Sequence, residues 1–172
     1  MRGALLLAVL AGSAPSRAEG GAPPIGRWTA ADPAGDQRAV EAGIERVAQA
    51  FPSLARPIVR AYLGRVTRHC PAPGFAWDGP RLCFLCDGRE VLGAVPDGHP
   101  FSWTTRNGEE RYTVSLLLQP SGAVELGFSD PMGSRTETWT PRNDGTLGAR
   151  FVYRSERLPV PLEYELGFSP AP

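Results

Sequence analysis

The chain has 172 residues, of which 42% are hydrophobic and 21% charged, with 18 basic against 18 acidic side chains. That is material for one domain with a sizeable core. The balanced charge excludes a polybasic protein steered to nucleic acid or anionic membranes, and 20 Gly with 18 Pro point to frequent turns rather than a collagenous or coiled-coil chain.

The N-terminus carries Arg2, then the apolar run Ala4–Ala11, then small residues at Ser16 and Ala18. This order is the pattern of a secretory signal peptide cleaved after Ala18, leaving a mature chain that starts at Glu19. The run is shorter than the ~20 residues that span a bilayer, and no later stretch reaches that length. No stable membrane insertion is therefore expected after cleavage. The expected location is the periplasm or the extracellular space.

Residues 19–35 are rich in Gly, Pro and Ala and read as an extended lead-in. A single domain then covers 36–172. Val40, Ile44, Val47, Phe51, Leu54, Ile58, Tyr62 and Val66 recur at steps of three and four, which is one face of a helix. Asp36 is the expected N-cap. Pro52 and Pro57 each remove a donor, so the segment reads as two helices, 36–50 and 53–68, or one kinked helix. The stripe keeps phase across the break, which predicts a common buried face.

From Pro71 the period changes to two. Asp78-Gly79, Asp87-Gly88, Asp97-Gly98, Asn107-Gly108, Ser121-Gly122 and Asp144-Gly145 mark tight turns. Between them lie strands near 74–77, 81–86, 89–95, 100–105, 110–119, 123–129, 134–140, 146–154 and 160–168. Tyr112/Val114/Leu116/Leu118, Val124/Leu126/Phe128, Leu147/Ala149/Phe151/Tyr153 and Leu162/Tyr164/Leu166/Phe168 form one dry face. Arg111, Thr113, Glu125, Arg150, Arg154, Glu163 and Glu165 form the wet one. The predicted fold class is α+β: an N-terminal helical segment, then an antiparallel β-meander of eight or nine strands over 74–168. Exposed edges are removed if the meander curls into a barrel or half-barrel.

Three cysteines allow several readings. Cys83-Phe84-Leu85-Cys86 has thioredoxin-like spacing, but it lies in a strand pattern rather than at a helix N-terminus. His69, Cys70, Cys83 and Cys86 have the ligand types of a zinc site, without the second close-spaced pair that such sites carry. An exported protein favours one disulfide and one buried thiol. In a hairpin around Asp78-Gly79, residue 71 faces residue 86, which favours Cys70–Cys86, with Cys70–Cys83 as the alternative and Cys83 opposite Gly74. No metal and no cofactor is expected.

His69 and His99 are the only histidines. No G-x-S-x-G, H-E-x-x-H, P-loop or G-x-G-x-x-G occurs. Glu109 and Glu110 are neighbours on a strand and face opposite ways. The sequence therefore reads as non-enzymatic.

Gly26-Arg27-Trp28-Thr29 resembles the G-x-W that opens many lipocalins, which implies a barrel that holds a small ligand. In lipocalins the Trp strand leads into a hairpin, whereas here about forty helical-pattern residues follow. The chain is also similar to small uncharacterised exported bacterial proteins that begin with G-x-W, continue with a helix carrying a segment like Arg56-Pro57-Ile58-Val59-Arg60, and close with a strand like Leu158–Leu166. That resemblance implies a shared fold and export, and no known activity.

Two functional readings follow. In the first, an exported barrel-like protein fills its core with its own helices and aromatics. In the second, a lipocalin-like barrel binds a small apolar ligand on Trp103, Tyr112, Phe128, Phe151, Tyr153, Tyr164 and Phe168. They differ in whether the helices plug the barrel or lie outside it. Trp103 and Trp139 each sit in an expected strand and serve as reporters of binding, with the face of Trp139 left open between this set and the side that carries Glu137.

Overall fold

The computed structural model describes residues 21–67, 69–105, 108 and 110–172. The segment 1–18, expected from the sequence to be a signal peptide, and Arg68, Asn107 and Glu109, lie outside these residues. The chain runs β1 (Gly26–Ala30), α1 (Pro33–Gln49), α2 (Arg56–Val66), β2 (Pro73–Asp78), β3 (Arg81–Cys86), β4 (Arg89–Ala94) and β5 (Phe101–Thr104). It continues with β6 (Arg111–Leu118), β7 (Val124–Asp130), β8 (Gly133–Pro141), β9 (Leu147–Arg154) and β10 (Leu162–Pro170). All strands pair antiparallel in the order β4-β3-β2-β1-β10-β9-β8-β7-β6-β5. The result is an α+β fold with a nearly closed barrel of ten strands, one or two more than the alternation predicts.

The extra strand lies in the lead-in. β1 is short and mostly non-alternating, so its period is not visible. It joins the two halves of the barrel, pairing Gly26 and Arg27 with β2 and Trp28 to Ala30 with β10. Helix α1 also begins before the expected Asp36. Asp32 is the N-cap, and its side chain accepts from Gly35 N at 2.9 Å. Pro33 suits the first turn because its missing donor would have had no partner there.

Asp36 is buried instead, and its Oδ1 accepts from Gly167 N on β10 at 3.2 Å. This contact explains where α1 sits. Beyond Ala31, whose N–H still reaches Gly167 O at 2.9 Å, β1 has left β10. The remaining edge of β10 would be unpaired, a hazard that proteins cover. Helix α1 lies along it. A Cβ on Gly43 would stand 2.9 Å from Glu163 O, so only glycine permits this approach.

The apolar stripe does not keep phase into α2. Leu54 is 92% exposed and Ile58 73%, while the buried residue of α2 is Leu63. The turn around Pro52 reorients the chain, and Pro57 then sits harmlessly in the first turn of α2. Arg60 clasps Glu45 of α1 through two contacts of 2.8 and 2.9 Å, fixing the helix pair. The helices neither plug the barrel nor lie outside it. They close one end, α1 against β10 and α2 reaching Tyr153 and Tyr164.

The strand register stacks the inner face in rungs. Val114, Phe128, Arg135, Tyr153 and Leu162 form the first, nearest α2. Leu116, Leu126, Glu137, Phe151 and Tyr164 form the second, and Leu118, Val124, Trp139, Ala149 and Leu166 the third. The far end is dry and filled. Trp139 touches Phe75, Phe84, Phe151 and Phe168 with ring centroids 5.5 to 5.7 Å apart.

The hairpin of β2 and β3 turns on Gly79-Pro80, so Asp78 faces Arg81 and Pro73, not residue 71, faces Cys86. Cys83 therefore lies opposite Ala76 rather than Gly74. The disulfide is Cys70–Cys86, with Cα atoms 5.6 Å apart. Cys83 is a buried free thiol, and burial pushes its pKa up.

Candidate functional site

Where α2 leans over the first rungs, a cavity of about 600 Å³ remains between Tyr62, Arg65 and Val66 of α2 and the inner ends of β6 to β9. Its walls are Tyr112, Phe128 and Tyr153, its rim holds Glu110, Asp130 and Met132, and Arg135 and Glu137 reach it from β8. Such a volume falls in the range of small-molecule sites.

The walls are held by polar contacts. Tyr62 and Tyr153 bring their hydroxyls to 3.0 Å, tying α2 to β9 across the cavity. Tyr112 donates to Glu110 Oε2 at 2.9 Å. Burial and the neighbouring Glu110 carboxylate push the Tyr112 phenol up to about 12, so it stays a donor. Burial, followed by the Tyr62 contact, raises Tyr153 well beyond the ordinary phenol range. Asp130 accepts from Met132 N and Gly133 N with one oxygen, which shapes the turn at the rim.

Deeper in, Arg135 meets Glu137 at 2.8 Å and lies 5.2 Å above the Phe151 ring. Glu137 is buried, and burial raises its carboxyl above the ordinary 4.5 against the pull of Arg135 and of the Trp139 N–H. The strand thus points Arg135, Glu137 and Trp139 inward together, so the face left open for Trp139 is the inner one, and Glu137 shares it. The outward series from the same strand is Ser134, Thr136, Thr138 and Thr140. Charged residues normally mark the wet face, which hides this orientation in the sequence. The available signal is Trp139 itself, whose parity Arg135 and Glu137 share.

The seven aromatics expected on the binding face divide into three groups. Tyr112, Phe128 and Tyr153 line the cavity. Trp103 packs against Tyr112 and Phe128, at 6.0 and 6.4 Å between centroids. Phe151, Tyr164 and Phe168 belong to the filled core, with Phe151 stacked on Tyr164 at 4.9 Å. Tyr62, Arg65, Glu110, Asp130, Met132, Arg135 and Glu137 are lining residues outside that set.

No family model matches the chain, and no curated protein matches it. Among solved structures, apo lipid binding protein 8 of Caenorhabditis elegans is similar at 14% identity, covering 86% of this chain and 94% of that one with a TM-score of 0.49. Zebrafish ileal bile acid-binding protein complexed with cholic acid is similar at 10% identity, covering 86% of this chain and 98% of that one with a TM-score of 0.48.

Proposed function

We propose that this protein is a non-enzymatic binder of a small amphipathic molecule. The observation that carries the reading is the cavity of about 600 Å³, open under α2, with rings on its walls and ionisable groups at its rim and floor. A wholly apolar ligand would leave the Arg135 and Glu137 groups facing it without gain. A molecule with an apolar body and a polar head matches both kinds of lining. The filled-core reading describes the far end of the barrel, around Trp139, and leaves the mouth for the ligand. Titration with a neutral fluorescent amphiphile such as N-decyl dansylamide, an alkyl chain on a polar sulfonamide, tests this. Saturable binding with a thermal shift supports it, since native-state binding at one hundred times Kd adds about 2.7 kcal/mol. No saturation and no shift across several such probes overturns it.

The compartment reading belongs to the same proposal. The Cys70–Cys86 disulfide supports an oxidising location outside the cytoplasm. Intact mass of the protein from its native host should show a disulfide-bonded chain starting at Glu19. A full-length, reduced chain overturns export.

A further inference from the structure

Within the proposed binding site, the chemistry of the mouth selects the head group. Tyr112 and Phe128 stand at 87° to each other with centroids 6.4 Å apart, making a corner of two rings on the cavity wall. Tyr62 and Tyr153 supply further rings around the same space. Ring faces attract cations. Tyr112 donates its proton toward the Glu110 carboxylate, which increases the electron density of its ring and sets a negative charge at the corner. Asp130 adds a second carboxylate at the rim.

The positive groups of the lining do not reverse this field. Arg135 shares the rung of Phe128, but its guanidinium is turned to Glu137 at 2.8 Å and over the Phe151 ring at 5.2 Å. Arg65 is exposed on α2. A carboxylate-headed ligand at the mouth would meet Glu110 and Asp130 at close range. A compact organic cation would meet aromatic rings with carboxylates beside them.

We infer that the Tyr112–Phe128 corner with Glu110 and Asp130 is a head-group site for a cationic amphiphile, a quaternary or protonated amine carrying an apolar chain. The inference rests on the binding reading above and goes beyond it by fixing the charge of the ligand.

Three probes with one chain length separate the outcomes: decyltrimethylammonium, decanol and decanoate, each titrated calorimetrically below its micelle concentration. The ammonium should bind about tenfold tighter than decanol, and decanoate more weakly than decanol. Glu110→Gln should remove most of the ammonium's advantage over decanol. Glu110 is exposed, so this variant keeps the fold. Tyr112→Leu, checked for folding by its melting curve, should remove the ring wall and lower ammonium affinity further. Equal binding of all three probes, or tightest binding of decanoate, overturns the cationic assignment while the binding site stands. An ammonium preference that survives both substitutions overturns its placement at this corner. No binding of any probe removes the site together with the inference.

Discussion

Trp103 of β5 donates its indole N–H to the carbonyl of Val91 on β4 at 3.1 Å. These strands are the two ends of the sheet, and no backbone ladder joins them. The chain between them pairs sideways with β6 instead, through Gly98 N to Leu116 O and Leu118 N to Pro96 O. One side chain thus bridges the seam of the barrel and, through its ring, backs the Tyr112 and Phe128 walls of the cavity.

Trp103→Phe keeps a ring but removes the donor. The loss of one hydrogen bond with its acceptor left half-buried should cost about 1 kcal/mol of stability. Chemical denaturation measures it. An unchanged midpoint would mean that the seam does not depend on this bond.

The disulfide joins the segment after α2 to the end of β3, across 16 positions of sequence. A loop of that size is worth about 3 kcal/mol in the chain-entropy account. Cys70→Ser should lower the melting temperature of oxidised protein by several degrees, and reducing agent should have the same effect on wild type and none on the variant. Non-reducing peptide mapping should find Cys70 linked to Cys86 and Cys83 free.

The disulfide also shows how far the sequence carries. The alternating runs from Tyr112 to Phe168 fixed the inner face of four strands, because one dry and one wet side are forced by burial. The Asp-Gly pairs mark most of the turns expected at them, and Asn107 lies outside the described residues. The hairpin register slipped by two residues at Gly79-Pro80, since a turn dipeptide does not say which residues close the loop. Asp32, not the expected Asp36, caps α1, because Pro33 opens the helix where composition suggests a loop. The stripe over Leu54 and Ile58 is a true pattern in the chain that the turn at Pro52 rotates into solvent. At the cavity, aromatics were legible and ions were not. Arg135 and Glu137 look like surface residues until their pairing places them beside Phe128 and Phe151.

Glu137 makes stability depend on pH in a definite direction. Burial holds its carboxyl above 4.5 in the fold, so the folded chain keeps a proton that the unfolded chain releases above about that pH. The stabilising contribution is complete at lower pH and is lost as pH rises toward the folded value. Glu137→Gln cannot titrate. The melting temperature of wild type minus that of the variant should therefore decrease as pH rises from 4.5. Parallel curves, or a difference that grows with pH, would contradict a raised carboxyl.

The central claim is that the space under α2 receives a small amphiphile while the far end of the barrel stays closed. Amide chemical-shift mapping during titration with a soluble alkyl amphiphile tests it most directly. The account predicts saturable shifts gathered at Tyr62–Val66, Tyr112, Phe128–Glu137 and Tyr153, with little change around Phe75, Phe84 and Phe168. Saturable shifts centred elsewhere, or no saturable shifts at all, would contradict it.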